Sequence, residues 1–149
     1  MAYTIRAGGA DGCAWVAART GVAWTPRARS VVTCRADGLI LAGVLLDDWT
    51  QNSVQAHIAA ESAIAWRRLV PEVLRYVFRG ARFEAQRGVG VLLAGIRSDN
   101  TPALRFASHA GFEFQAKVPD VFGPGVDLVL LVMRREWWEA RNSPDRMVA

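Results

Sequence analysis

The sequence predicts a mixed α/β (α+β) fold, a central mixed sheet with helices on both faces. Two β-rich runs within residues 30–46 are joined by Asp37-Gly38, a two-residue hairpin signal. A strand–helix–strand step spans residues 53–98, which implies a parallel or splayed pairing in the middle of the sheet. A second helix from Pro102 stops at Gly111, and the long apolar run "VDLVLLVM" follows from residue 126.

Each element has a local reason. Tyr3 to Ala7 suits a short strand and Cys13 to Arg19 a short helix ending at Gly21; the arginines around Pro26 read as loop. The run Leu39 to Leu46 is apolar on both parities, as expected of a strand covered on both faces. In "SVQAHIAAE", residues 53–61, Val54, Ala56, Ile58 and Ala60 share one face, with Ser53, Gln55, His57 and Glu61 on the other. Apolar residues at 69, 70, 73, 74, 77 and 78 have helical spacing. Pro71 fits the first turn of a helix, so this helix is expected to start there, with residues 62–70 as loop. "GVGVLLAGI", opened by "QRGVG" at residues 86–90, is expected to be a buried strand. Residues 115–125, "QAKVPDVFGPG", read as loop, and the strand from residue 126 as running into a charged, aromatic tail.

The chain has 149 residues, enough for one domain that buries its own core without a disulfide or structural metal. Its apolar share of 52% excludes a disordered chain. Cys13 and Cys34 match no metal spacing, and His57 and His109 are too isolated for a zinc site, so no metal is expected. Residues 1–10 lack a signal-peptide pattern and no apolar run approaches a membrane span, which predicts a soluble, cytoplasmic protein. Net charge is +4, and Lys117 is the single lysine beside 17 arginines. Arginine suits phosphate and carboxylate, so a nucleic-acid partner is open, although no dense basic run exists.

The order of elements, with Asn100-x-x-Ala103-x-x-Phe106 ending at Gly111-Phe112, resembles the GNAT acyltransferase superfamily from about Ser30 to Trp138. More narrowly it looks like the small GNAT-like proteins of phage and prophage genomes. The resemblance implies a partly splayed sheet of about six to seven strands, with acetyl-CoA in the gap between two diverging strands and an amine as acceptor. It implies that Asn100 and Phe106 border the pantetheine arm. It also implies a Gly-rich pyrophosphate loop before the first long helix. The matching place is "RRLVPE", where Arg67, Arg68, Leu69 and Val70 would hold the cofactor, although Val70 and Glu72 stand where glycines are expected. The tyrosine that protonates the departing thiolate in many relatives is replaced by Ala107. Many relatives also pair through sheet edges, so a homodimer is expected to be open to this chain, and Trp137-Trp138 would suit packing.

Acetyl transfer needs a neutral amine. A lysine-like amine of pKa about 10.4 is neutral at pH 7 at a cost of roughly 4.6 kcal/mol. Glu61 and His57 are the candidate bases, sharing a face of the strand that borders the gap. Four residues apart at ~3.3 Å each, they lie about 13 Å from one another and are not expected to act on one atom. Two other functions stay open: an acyl-CoA-binding module without turnover, and a protein of this fold acting on nucleic acid.

Overall fold

A computed structural model describes residues 2–80 and 88–142. Among these residues seven strands form one sheet: β1 Tyr3–Ala7, β2 Arg29–Arg35, β3 Ile40–Asp47, β4 Ser53–Ala60, β5 Val91–Arg97, β6 Glu113–Gly123 and β7 Val126–Arg134. Four helices accompany them: α1 Gly9–Thr20, α2 Ala63–Arg79, α3 Thr101–Ala110 and α4 Arg135–Arg141. The sheet order is β1-β2-β3-β4-β5-β7-β6. Every neighbouring pair is antiparallel except β4 and β5, which run parallel across the α2 crossover.

Side-chain alternation assigns the helices to faces. Cys13 and Val16 of α1 pack on Leu45 and Ala59 of one face. Leu69, Val73 and Val77 of α2 pack with Val44, Val54 and Leu92 of the other. Ala107 of α3 packs on Ala94, Ile96 and Leu131 of that same second face. Phe78 of α2 meets Trp138 of α4 with ring centroids 5.6 Å apart. The hairpin at Asp37-Gly38 forms as expected, with Gly38 at φ 90° and the Arg35 guanidinium paired to Asp37.

The sequence-based expectation fails in three places. Residues 62–70 are not loop: α2 starts at Ala63, capped by Ser62, whose Oγ accepts from the Ala65 N–H at 3.2 Å. Pro71 therefore lies inside the helix. An internal proline costs about 3 kcal/mol. Burying Leu69 contributes about 1.5–3 kcal/mol, and the buried indole of Trp66 adds an aromatic's larger area, so the longer helix wins. Pro71 itself is on the exposed side.

Residues 115–125 are not loop either, since β6 covers most of them. This strand lies at the sheet edge and nearly all of its residues are exposed, so no apolar alternation marks it. Pro119 is tolerated because an edge strand has one unpaired side. Finally, the aromatic tail after β7 is helical as far as Arg141, with Trp138 buried. The start of "QRGVG" lies outside the described residues, and β5 opens at Val91.

Candidate functional site

The parallel pair β4–β5 sets the site. Its register runs Ser53↔Val91, Val54↔Leu92, Gln55↔Leu93 and Ala56↔Ala94, and then the pairing stops. Both strands continue, β4 to Ala60 and β5 to Arg97, with no ladder between them. The strands splay into a notch. On its far sides the sheet stays closed, because β4 pairs with β3 through Ala60 and β5 pairs with β7 through Arg97.

Backbone alternation shows what lines the notch. The Glu61 N–H bonds Leu41 O of β3, so the N–H and C=O of Ile58 and Ala60 turn the other way, toward the notch. On the opposite wall the Val91 N–H bonds Asn52 O beside β4 and the Ser98 N–H bonds Asp127 O beside β7. Gly95 and Arg97 therefore present their main chain to the same gap. The notch has polar backbone walls without a strand partner, which is a place for an extended ligand with amide groups of its own.

Because β4 and β5 are parallel, α2 and α3 both begin at the notch end of the sheet. Each start leaves N–H groups without intrahelical acceptors and carries the positive end of a helix dipole. At α2 the Ser62 cap is followed by Ala63, Ile64 and Ala65, with Ala63 and Ile64 exposed. At α3, Asn100 is the cap, its Oδ1 accepting from the Ala103 N–H at 3.2 Å. The helices touch between these ends, where Trp66 of α2 and Phe106 of α3 lie with ring centroids 6.2 Å apart.

The expected site residues separate on this frame. The stretch "RRLVPE" does not precede a helix; it occupies the second and third turns of α2. Leu69 is fully buried in the core and Val70 packs against that core, so neither is positioned to hold a phosphate. The Arg68 guanidinium lies over the Tyr3 ring at 5.4 Å, toward β1 and away from β5. Arg67 is exposed and adjoins Trp66, on the side of α2 nearer α3. The start of α2 lies earlier, at Ser62 to Ala65, and sequence reasoning missed it. The signal was present: a Ser cap before Ala65, Leu69, Val73 and Val77 at four-residue intervals.

Glu61 lies just past β4 and its Oε1 accepts from Arg19 Nε at 2.9 Å and Nη2 at 2.8 Å. Arg19 in turn stacks on Trp15 at 3.8 Å. The carboxylate is thus engaged by α1 at the surface. His57 is different. It stands one residue beyond the last β4–β5 pair, half-buried, on the α1 face. Burial pushes its imidazole below the ordinary histidine value, against the pull of Asp48 and Asp47. Neutral His57 is therefore the prevailing form at pH 7. Ala107 is fully buried under α3, and Ser108 and His109 are exposed on the outer side of that helix. Among the described residues no cluster of His, Cys, Asp or Glu is suited to a metal ion, and no helix is long and apolar enough to cross a membrane.

No family model matches the chain, and no curated protein sequence matches it. Solved structures do match. The spermidine N-acetyltransferase SpeG of Vibrio cholerae (as an N152L mutant) is 14% identical with a TM-score of 0.74, over 95% of this chain and 98% of its own. YncA of Salmonella typhimurium, solved with its cofactor acetyl-CoA, is 20% identical with a TM-score of 0.68, over 91% of this chain and 95% of its own. A GNAT-family structure from Desulfovibrio desulfuricans is 17% identical with a TM-score of 0.64, over 90% and 99%. The seven-stranded sheet, its four helices and the notch between its parallel strands make this the fold of the GNAT acetyltransferases.

Proposed function

We propose that the protein is an acetyl-CoA-dependent N-acetyltransferase in which an amine attacks the thioester directly. The observation that carries this reading is the β4–β5 pairing that ends after Ala56↔Ala94, with two helix starts beside the opening. The residues present fit acetyl-CoA. The N-terminus of α2 at Ser62–Ala65 takes the pyrophosphate, on the N–H groups that its first turn leaves without intrahelical acceptors. Arg67 adds a charge-assisted contact. Asn100 and Phe106 flank the pantetheine, whose amides meet the free main-chain groups of Ile58, Ala60 and Gly95.

The chemistry divides between the two sheet faces. The donor enters from the α2–α3 face and the amine from the α1 face, where His57 stands. Acetyl-CoA supplies an acetyl group as a thioester, whose carbon–sulfur bond breaks as the carbon–nitrogen bond to the amine forms. His57, neutral at pH 7, accepts the proton that the amine gives up, directly or through a water. The Ile58 N–H, turned into the notch, is the donor placed for the carbonyl oxygen as it gains charge. No side chain stands at Ala107 to protonate the thiolate, so solvent does so.

Binding and turnover test this separately. At a hundredfold excess over Kd, a ligand stabilises by about 2.7 kcal/mol, roughly 5–11 °C in Tm for a domain of this size. A Tm unmoved by acetyl-CoA removes the reading. A raised Tm with no CoA thiol released across a broad amine panel favours the second reading, an acyl-CoA-binding module, which the buried Ala107 and the engaged Glu61 support.

Among the described residues, seven arginines are engaged within the chain, which weighs against a nucleic-acid face. Arg19, Arg35, Arg75 and Arg97 pair with carboxylates, and Arg68, Arg79 and Arg134 lie on aromatic rings. A homodimer would use β6, where Phe114, Val118, Val121 and Phe122 are exposed. One SpeG structure from Vibrio cholerae is dodecameric, and sedimentation of this chain decides whether it too self-associates.

A further inference from the structure

The last residue of β3, Asp47, is 3% exposed. Its Oδ2 accepts from the Thr25 N–H at 2.7 Å and its Oδ1 from the Thr25 Oγ1–H at 2.7 Å. Burial opposes its charge, yet these bonds and the Asp48 N–H outweigh it and hold the carboxyl below its ordinary value. Asp47 is thus an anion at neutral pH.

This anion shares a face with His57. Asp47 is opposite Gln55 in the β3–β4 register and Leu45 is opposite His57. Asp47 and His57 are diagonal neighbours, about 7–8 Å apart. Asp48 follows at φ 54°, a left-handed conformation that Asp adopts more readily than most residues, and is exposed. The segment 21–28 descends the same face. Val22 packs with Leu45 and Ala59 at one end, and Thr25 bonds Asp47 at the other. The strand position of His57 lies between those two points.

We propose that Asp47 and Asp48 are positioning residues for His57: Asp47 pins the 21–28 segment beside it through Thr25, and the two carboxylates set its electrostatic surroundings. The proposal rests on His57 as the base of the acetyl transfer. Burial alone makes an imidazole a weak base; two nearby anions counter that and stabilise the imidazolium formed when the proton arrives. His57 itself feels Asp47 and Asp48, and the Cys13 thiol of α1 feels Asp47 and Arg29 of β2. Of these, Arg29 alone is cationic.

The test follows the imidazole directly. Proton NMR titration of His57, with His109 as internal reference, is compared in the wild type, Asp47→Asn, Asp48→Asn and Thr25→Val. Asp48→Asn keeps the backbone, because Asn tolerates a positive φ, and it covers the case in which Asp47→Asn does not fold. Each loss of charge is expected to lower the His57 midpoint by about half a pH unit. Thr25→Val, which loosens the pinned segment without removing a charge, is expected to lower Tm and to shift the midpoint by less than either aspartate variant. A midpoint unmoved in the folded aspartate variants overturns the proposal. The acid limb of kcat/KM against pH is measured in parallel. If it moves with the midpoint, the proposal and the base assignment both stand. If the midpoint moves and the limb does not, His57 is not the base and the positioning role falls with it, while binding of acetyl-CoA is untouched.

Discussion

Strand β5 has two unlike edges. Toward β7 it is paired at all seven residues, Val91↔Arg134 to Arg97↔Leu128; toward β4 only the first four are paired. The closed edge is backed by interlocking apolar side chains, Leu92 with the fully buried Met133 and Ala94 with Leu131. Beyond the end of the open edge stand His57 and main-chain groups with no strand to meet. On the proposed reading the same strand serves as scaffold on one side and as a binding wall on the other, which puts stability and chemistry on opposite edges of one seven-residue element.

If that division holds, damage to each edge has a different signature. On the closed edge, Met133→Ala removes a fully buried side chain and should cost about 2–5 kcal/mol, roughly 4–20 °C in Tm; the same activity per folded molecule is expected. On the open edge, His57→Gln should lower kcat/KM by about 10²–10⁴-fold at pH 7, with Tm nearly unchanged there. Its pH dependence sharpens the point. The folded His57 value is depressed by burial, so the unfolded chain binds the proton more readily. The stability this histidine contributes is present above its unfolded pKa of about 6.5 and is lost as pH falls through the folded value. Melts from pH 7.5 to 5 should therefore fall more steeply for the wild type than for His57→Gln.

At the rim of the notch, Asn100→Ala removes the α3 cap and should cost about 0.5–2 kcal/mol, with weaker acetyl-CoA affinity by calorimetry. Equal affinity would leave Asn100 a cap and no more. The smallest effect is expected for Glu61→Gln. It breaks an exposed pair with Arg19 worth about 0–1 kcal/mol, and a loss of activity above tenfold would reinstate Glu61 as the base.

The sheet was largely legible because its central strands obey burial. The runs at β3, β4 and β5 are apolar for the reason the fold needs them to be. Strand β6 was not legible because it is an edge: exposure erased the alternation, and Pro119 and Gly123 look like punctuation. The start of α2 was misplaced because proline weighs heavily in local reasoning, whereas Trp66 and Leu69 decide the matter through packing that no local window contains. That moved "RRLVPE" from before the helix into its second and third turns. His57 was read as a residue type at a strand position; Asp47 was not singled out, since only the register between β3 and β4 puts it on the same face.

The position of β7 has a consequence for how the molecule is made. It is last of the strands in chain order yet sits between β5 and β6. A nascent chain that has emerged only as far as residue 125 has nowhere to seat β6 and leaves the bare flank of β5 to solvent. The enclosure around the notch is then completed only when one apolar segment inserts after β6, and until that moment the chain exposes the kind of edge that invites association with the wrong partner.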